Sequence, residues 1–338
     1  MKKMYLLTGG AGLLGNNVAI ALIAKGEKVR ALVLENDPAM KNMPPEVELV
    51  TGDVTDISSL EHFFDVPEDT EVFVIHCASI VSVSPQPGQK IFDVNVTGTQ
   101  NIIKLCISKN IKKLIYISST GAIPELPNGQ TICEPESFEP DNVVGYYSKT
   151  KALATEYVLK AVRENNLNAS IIYPTGICGP NDYAFGPVAD VIIKYCQGKM
   201  PVGFLGYFNS VDVRDLANGV IACADKGRKG EGYIMSNEMV SISRMFELIS
   251  NASGAPKVET FLSADEMIAM TIKNIPDSPQ KESIIETTKF GMYNMVRNNN
   301  FSSEKAKREL GYTTRPFEET ITDEVNWLIS IGKINCEK

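Results

Sequence analysis

The first half of the chain alternates short apolar runs with longer stretches of helical periodicity. The apolar runs predict strands, which lie at 4–8, 29–34, 47–50, 72–76, 114–118 and 169–173. The stretches between them predict helices, which lie at 13–24, 58–64, 89–108 and 144–165. The run 72–76 is apolar up to its last residue, as expected for a strand buried on both faces. Strands that alternate with helices indicate right-handed crossovers and a parallel sheet. The predicted fold class is therefore α/β, with a doubly wound Rossmann sheet.

The rhythm changes after residue 174. Glycine and proline residues are frequent in 176–206, which contains one predicted helix at 188–197. A strand-helix-strand unit follows at 210–234. Further helices are predicted at 241–251, 263–272, 302–310 and 316–331. The segment 273–300 has weak periodicity and many polar residues, which favours a loop or a mobile lid. We therefore expect two parts, the second a smaller, mostly helical substrate-binding lobe. The Rossmann domain takes 1–175 and 207–235, and the lobe takes 176–206 and 236–338.

Composition and charge exclude several classes of protein. The chain has 338 residues, of which 43% are hydrophobic and 22% charged, with a formal net charge of −8. Without a Lys/Arg cluster, this acidic balance argues against nucleic acid or an anionic membrane as partner. No apolar run reaches the roughly 20 residues of a membrane span. The apolar start ends at Gly9, too early for a signal peptide, so we expect a cytoplasmic protein.

Cysteine and histidine usage argues against disulfides and metals. The seven cysteines are scattered singly and form no C-x-x-C pair, which favours reduced thiols. The two histidines, His62 and His76, are too few for a histidine-rich metal site. We expect both to be structural and predict no metal.

A glycine-rich turn stands between the first predicted strand and helix, in Thr8-Gly9-Gly10-Ala11-Gly12-Leu13-Leu14-Gly15. Gly9 permits the tight turn, Gly12 lets the backbone approach a pyrophosphate, and Gly15 lets the helix pack on the sheet. The helix N-terminus, at Leu13 and Leu14, then directs free N–H groups at the phosphates. The pattern predicts a dinucleotide-binding site.

Tyr147 and Lys151 are a candidate proton-handling pair, because residues four apart share a helix face. A phenol has an unperturbed pKa of about 10, and a nearby ammonium lowers it by favouring the phenolate. Such a pair can act as a general acid or base.

The hydroxyl triplet Ser118-Ser119-Thr120 ends a predicted buried strand. Ligands of parallel sheets bind at that end, so one of these hydroxyls is expected to hold a substrate oxygen near Tyr147.

The motifs TGGAGLLG, SSTGAI, YSKTK and NVTGTQN together resemble those of the extended short-chain dehydrogenase/reductases. The likeness is closest to the dihydroflavonol-4-reductase-like branch of the NAD-dependent epimerase/dehydratase group. It implies that Tyr147 is the general acid/base and that Lys151 lowers its pKa and binds the nicotinamide ribose. It also implies, by register, that Thr120 is the catalytic hydroxyl, with Ser119 as its neighbour.

The same resemblance implies binding residues. It places cofactor contacts, besides the glycine turn and the Tyr-Lys pair, at Leu34, Glu35, Asp53, Val54, Cys77, Ala78, Ser79, Asn95, Pro174, Thr175, Gly176 and Ile177. It places substrate contacts at Ser79, Thr120, Gly121, Ala122 and Phe208.

Two positions depart from the family pattern. Where NAD-type relatives carry an acid for the ribose this chain has Val33, and where NADP-type relatives carry an arginine it has Leu34. Glu35 could reach a ribose or be a solvated loop acid, so the cofactor is NADP or NAD, and the missing acid favours NADP.

Phe208 stands where nucleotide-sugar enzymes carry an arginine that binds the diphosphate. Together with neighbouring aromatic residues, it favours an apolar carbonyl substrate, unless these aromatics are ordinary core.

Three functions remain open at this point. The first is an oxidoreductase that passes a hydride between nicotinamide and a small-molecule carbonyl or alcohol. The second is a nucleotide-sugar epimerase or dehydratase, which would use the same residues. The third is a non-catalytic NAD(P)-sensing regulator, which has no need of a Tyr-Lys pair. A homodimer through the helices at 89–108 and 144–165 is also expected.

Overall fold

A computed structural model describes residues 2–335 of the chain. Its strands are β1 (Lys2–Thr8), β2 (Lys28–Val33), β3 (Glu48–Thr51), β4 (Thr70–His76), β5 (Lys113–Ile117), β6 (Ala169–Pro174), β7 (Gly176–Cys178), β8 (Gly203–Phe204), β9 (Tyr207–Asp212), β10 (Gly232–Met235), β11 (Met239–Ser241) and β12 (Phe261–Leu262). Its α-helices are α1 (Leu13–Ala24), α2 (Gln89–Phe92), α3 (Thr99–Ser108), α4 (Tyr146–Asn165), α5 (Pro187–Cys196), α6 (Val213–Lys226), α7 (Ile242–Ser253), α8 (Ala264–Asn274), α9 (Lys281–Val296), α10 (Glu304–Leu310) and α11 (Phe317–Ser330). A π-helical stretch, Asp93–Gly98, joins α2 to α3.

The large sheet has seven parallel strands in the order β10-β6-β5-β4-β1-β2-β3. The strand order reverses between β1 and β4, which creates a crevice at their carboxyl ends where open α/β sheets bind ligands. The predicted doubly wound Rossmann sheet is confirmed.

Alternate residues of the central strands bury their side chains on opposite faces of the sheet. Leu6 and Val74 face the layer that contains α3 and α4, whereas Leu7 and Ile75 face α1 and α6. Each buried side chain of this size contributes roughly 1.5–3 kcal/mol. The sheet is thus a rigid platform covered on both sides, and a ligand site is expected at its carboxyl edge.

The strands of the segment 207–235, which was assigned to the Rossmann domain, lie in two different sheets. Of these, β9 lies in a separate three-stranded sheet of order β11-β9-β7. Ile177 pairs with Val211 in parallel, and Phe208 pairs with Val240 in antiparallel. A strand pattern in the sequence says nothing about which strand will be its partner, and here the chain returns to the large sheet only with α6 and β10.

The segment 273–300 was predicted as a loop or mobile lid, and the loop prediction is wrong. Most of it forms α9, which packs on α8. Only Ile285 and Met292 of this helix are buried, which explains the weak periodicity of its sequence. Phe290 of α9 packs against Gly145, where an added Cβ would lie 2.5 Å from the ring. The helix therefore covers the chain just ahead of Tyr147.

Within residues 2–335, no helix is both long and apolar enough to cross a membrane. The same part of the chain contains no group of three or more His, Cys, Asp or Glu side chains that could hold a metal ion. Its six cysteines are free thiols, and Cys336 lies outside the described residues.

Glu324 on α11 should make the stability of the protein pH-dependent. It accepts a hydrogen bond from Gly179 N–H at 2.7 Å, and burial raises the pKa of its carboxyl from 4.5 to about 8. Since the folded state holds this proton more tightly than the unfolded chain, stability falls as pH rises from about 4.5 to about 8. We expect Glu324→Gln to gain about 1.4 kcal/mol per pH unit relative to the native chain across that window.

Urea unfolding at several pH values between 5 and 8 measures this effect. Glu282→Gln, at an exposed position on α9, is the matched control and should show no such trend. A difference between Glu324→Gln and the native chain that stays constant with pH would contradict the prediction.

Candidate active site

The three glycines of the first turn differ in what surrounds them. Gly9 has φ +65°, and a Cβ there would lie 2.8 Å from the Ala78 nitrogen. A Cβ on Gly15 would lie 2.1 Å from the Gly9 carbonyl oxygen. A Cβ on Gly12 would meet only that same oxygen, at 3.4 Å. Gly9 and Gly15 are therefore required by the fold, while Gly12 faces open space in the crevice.

The N-terminus of α1 is built to receive an anion. Gly12 caps the helix without a side-chain hydrogen bond, and the first turn, which includes Leu13 and Leu14, contains no acidic residue. The first N–H groups of a helix lack internal partners, and the helix dipole is positive at this end. Together with the open side of Gly12, this arrangement fits the pyrophosphate of a dinucleotide.

The residues predicted for the adenosine half follow β2 and β3. Val33 is buried, whereas Leu34 and Glu35 are exposed beyond the strand end. Asp53 Oδ1 accepts hydrogen bonds from the Thr55 N–H and hydroxyl, both at 2.8 Å. The Val54 carbonyl accepts from Asn101 Nδ2 at 2.9 Å, so Asp53 and Val54 are fixed at the carboxyl edge of the sheet.

The segment Cys77-Ala78-Ser79 runs directly beside the glycine turn. Cys77 N–H donates to the Thr8 carbonyl, and Ala78 N–H donates to the Thr8 hydroxyl, both at 3.2 Å. His76 Nδ1 lies 2.7 Å from the Thr8 hydroxyl and Nε2 lies 3.0 Å from the Thr99 hydroxyl. Burial, and secondarily the Lys151 charge, lowers the His76 pKa to about 3. His76 is thus a neutral, structural link between β1, β4 and α3.

Asn95 was predicted to contact the cofactor, but its side chain is fully used within the protein. Its Oδ1 accepts from the Ser79 hydroxyl at 3.0 Å and from Ile80 N–H at 2.8 Å. Its Nδ2 donates to the Ile80 carbonyl at 3.0 Å and to the Thr150 hydroxyl at 3.1 Å. The residue is 1% exposed and lies in the π-helical stretch. Asn95 therefore holds Ser79 and the start of α4 in place, and its amide makes four hydrogen bonds within the protein.

Tyr147 lies in the first turn of α4, which follows Gly145 at φ +93°. Burial raises the pKa of its hydroxyl to about 12, and hydrogen bonds with the side chains of Ser119 and Ser79 oppose that rise. The rest of the residue is only partly buried. The hydroxyl is thus enclosed between two serines while the ring borders the crevice.

Lys151 lies one turn further along α4 and is 3% exposed. Its Nζ donates to the Ile117 carbonyl at 2.8 Å. Burial lowers the pKa of the ammonium to about 7. The structure therefore brings Tyr147, Lys151 and the end of β5 together, as the i, i+4 spacing predicted.

The two hydroxyl residues predicted for the site, Thr120 and Ser119, have different partners in the structure. Thr120 is buried and donates to the Pro174 carbonyl at 3.2 Å. Ser119 faces Tyr147, and its oxygen accepts from Gly121 N–H at 3.1 Å, which leaves its own O–H to donate. Ser119 caps a short 3₁₀ turn, Thr120–Ala122, and the two hydroxyls therefore point to different partners. Of the two, Ser119 is the one that meets the Tyr147 hydroxyl.

The structure also corrects predicted substrate contacts. Ala122 is 0% exposed and belongs to the core, and a Cβ on the buried Gly121 would meet Ser148 Oγ at 2.8 Å. Neither offers surface to a ligand. The Phe208 ring packs edge-on against Phe317 with centroids 5.8 Å apart, so it is mainly part of the lobe core.

The connection from β6 to β7 brings the predicted carboxamide-binding residues to the crevice. Pro174 ends β6, and Thr175 N–H donates to the Met235 carbonyl at 3.2 Å. Gly176 is exposed and adjoins the Phe208 ring, and Ile177 follows in β7. These residues line the side of the crevice opposite the glycine turn.

The sequence relatives of this chain include two that it matches along nearly its whole length. Sterol demethylase protein B of Methylococcus capsulatus is 29% identical over 334 residues, which cover 97% of this chain and 99% of that protein. The putative dihydroflavonol 4-reductase of Synechocystis is 24% identical over 352 residues, which cover 100% and 98%.

Solved structures of the same fold include gox2253, with a TM-score of 0.82, 26% identity and coverage of 99% of both chains. UDP-glucose 4-epimerase of Thermotoga maritima has a TM-score of 0.77 at 20% identity, covering 97% of this chain and 99% of the epimerase. The model of the NAD dependent epimerase/dehydratase family matches residues 5–237. That match includes the glycine turn, Ser119, Tyr147 and Lys151, and it confirms the resemblance seen in the sequence. The chain belongs to the NAD-dependent epimerase/dehydratase family of extended short-chain dehydrogenase/reductases.

Proposed function

We propose that this protein is an NAD(P)(H)-dependent oxidoreductase that interconverts a carbonyl compound and the corresponding alcohol. The observation that carries the proposal is the placement of the Tyr147 hydroxyl. It lies beside Ser119, one helical turn from Lys151, at the carboxyl edge of the sheet that also holds the glycine turn. A proton donor, a hydrogen-bond donor and a cation thus meet where a dinucleotide fits.

The cofactor and each residue of the site have separate roles in the proposed reaction. The nicotinamide cofactor, when bound, supplies or accepts the hydride. Ser119 donates a hydrogen bond to the substrate oxygen, and Tyr147 gives a proton to that oxygen or takes one from it. The Lys151 ammonium favours the phenolate and assists the reverse transfer.

The environment of Tyr147 favours reduction. Its pKa is raised to about 12, so the phenol holds its proton at neutral pH. This suits a general acid that protonates the oxygen of a carbonyl as hydride arrives at its carbon. We further propose NADPH as the preferred reductant, because buried Val33 stands where NAD-type relatives carry a ribose-binding acid.

We infer an apolar substrate of several rings from exposed side chains that adjoin the site residues in the chain. Val81 and Val83 follow Ser79, Val144 precedes α4, and these three are 61%, 58% and 42% exposed. Apolar surface of this kind gains about 25 cal/mol per Å² when a ligand covers it. Two relatives named for a sterol and a dihydroflavonol support the same substrate class.

Cofactor oxidation tests the proposal. Purified protein is given NADPH or NADH with a panel of aldehydes, cyclic ketones, sterol ketones and dihydroflavonols, and loss of absorbance at the reduced nicotinamide band is followed. We expect turnover with at least one apolar ketone and a higher kcat/KM with NADPH. Absence of turnover across the panel, with tight dinucleotide binding, would favour the non-catalytic regulator instead.

The second candidate function is a nucleotide-sugar epimerase or dehydratase, since the Thermotoga maritima neighbour was solved with UDP-glucose. The arginines near β9 are already paired with carboxylates. Arg214 bonds Asp212 at 2.7 Å and Asp323 at 2.6 Å, and Arg315 bonds Asp215 at 2.9 Å. Desolvating a diphosphate without a free bidentate cation is unfavourable.

We therefore expect UDP-glucose, UDP-galactose and dTDP-glucose to bind no more tightly than about 1 mM, or ~4 kcal/mol. Calorimetry on the protein saturated with NADPH measures this, and the NADPH titration itself shows that the sample is competent. Micromolar affinity for any of these sugars would reverse the ranking and make the epimerase reading the better one.

A further inference from the structure

Lys151 is a buried cation that is not neutralised by a carboxylate. Among residues 2–335, burial and the Cys77 thiol shift the pKa of Lys151, and no carboxylate does. Its ammonium is 2.8 Å from the Ile117 carbonyl oxygen. A buried charge without an ion-pair partner is costly, so another group must help to keep the ammonium charged.

The face of the Tyr116 ring is the second group that meets this ammonium. Lys151 Nζ lies over the ring, 5.2 Å from its centroid. Tyr116 precedes Ile117 on β5, is 1% exposed, and packs 5.8 Å from the His76 ring. Aromatic faces attract cations at this distance, most strongly where both are out of water.

The Tyr116 hydroxyl does not account for the presence of a tyrosine here. It is buried and makes no hydrogen bond of regular geometry among the described residues, although the Thr99 side chain approaches it. A buried hydroxyl that is poorly paired is unfavourable. The part of Tyr116 that faces Lys151 is the ring.

We propose that Tyr116 is a positioning residue, whose ring face holds the Lys151 ammonium one helical turn from Tyr147 and helps to keep it charged. The inference rests on the role of Lys151 in the proposed function. Tyr116, on β5, would touch neither substrate nor cofactor. It would act on the general acid/base Tyr147 through Lys151.

The other titratable groups around Lys151 carry no charge near neutral pH. The His76 pKa is lowered to about 3, and the Cys77 thiol pKa is raised to about 12, in both cases mainly by burial. The phenol of Tyr147 is also protonated, with a pKa of about 12, and burial raises the pKa of Tyr173 well above its usual value. The ring of Tyr116 and the Ile117 carbonyl thus provide the compensation for the cation.

Graded fluorination of the ring tests this directly. Position 116 is changed by Tyr116→Phe and then by phenylalanine analogues carrying one, three and five fluorines, which weaken the negative ring face with little change in shape. The Lys151 pKa is measured by NMR on protein with isotope-labelled lysine, and the signal is identified by its loss in Lys151→Met. We expect Tyr116→Phe to match the native pKa and the fluorine series to lower it stepwise, by about one unit in total.

The same pentafluoro analogue at Phe246, a buried aromatic of the lobe, is the matched control and should leave the Lys151 pKa unchanged. A Lys151 pKa that stays constant across the fluorine series at position 116 would overturn the proposal. Because this readout needs no substrate, it is separate from the proposed function, which fails instead if Lys151→Met retains full turnover. In active protein, the apparent pKa of the alkaline limb of the kcat–pH profile should fall as the number of fluorines on the ring rises.

Discussion

Tyr147→Phe is expected to lower kcat by about 10²–10⁴-fold, the usual contribution of a positioned general acid, while dinucleotide affinity stays within about twofold. The ring that borders the crevice is kept, so the start of α4 and its contacts should not change. What is lost is the hydroxyl between Ser119 and Ser79, the group that carries the proton in the proposed reaction. An interaction made mainly in the transition state lowers kcat and kcat/KM together.

The adjacent tyrosine provides a matched control. Tyr146→Phe removes the same atom one residue earlier on the same helix and should retain native kcat, KM and melting temperature. Single-turnover measurement with reduced cofactor and an accepted ketone separates the chemical step from product release. Native kcat in Tyr147→Phe, with Tyr146→Phe equally active, would remove Tyr147 from the mechanism.

The parts of this site that sequence predicts well are those fixed by local spacing. The glycine turn is set by its position between one strand and one helix, and the Tyr147–Lys151 pair is set by helical periodicity. Both can be identified without knowledge of any distant contact. The central sheet is predictable for a related reason, because strands such as 72–76, buried on both faces, stay apolar regardless of their partners.

The parts of the site that local spacing leaves open depend on a turn or on a distant partner. Ser119 and Thr120 are both hydroxyl residues at a strand end, and only the 3₁₀ turn decides which of them faces Tyr147. Asn95 is a plausible polar ligand in sequence, but its amide is used by Ser79, Ile80 and Thr150. Neither fact is encoded in a local pattern.

The position of Tyr116 shows what a sequence pattern can and cannot determine. Period-two alternation places it on the same face of β5 as Ser118, toward α4, and Ser118 indeed lies 2.7 Å from Thr155 of that helix. In the structure, Tyr116 is buried in the same cluster as Ala152 of α4. That Lys151 reaches back over its ring depends on the crossing of strand and helix, which only the three-dimensional structure shows.

A second large effect is expected in the glycine turn. There the structure distinguishes a glycine needed for cofactor binding from glycines needed for folding. Gly12 has φ −75°, which any residue adopts, and open space on its side-chain face. Gly12→Val should therefore fold with a nearly native melting temperature. Its methyl groups would occupy the place where the backbone must approach the pyrophosphate, so we expect the dissociation constant for NADPH to rise by at least about 100-fold, or ~2.7 kcal/mol.

Gly15→Ala is the contrasting variant at the other end of the same turn. Its Cβ would lie 2.1 Å from the Gly9 carbonyl oxygen, so the helix must move away from the sheet, at a cost of about 1–3 kcal/mol or more in folding stability. Thermal unfolding and fluorescence titration with NADPH, run on both variants, distinguish the two effects. We expect weak binding at native stability for Gly12→Val and a lowered melting temperature for Gly15→Ala. Native affinity in a folded Gly12→Val variant would show that the dinucleotide phosphates do not lie against this turn, because no valine side chain can share that space with them.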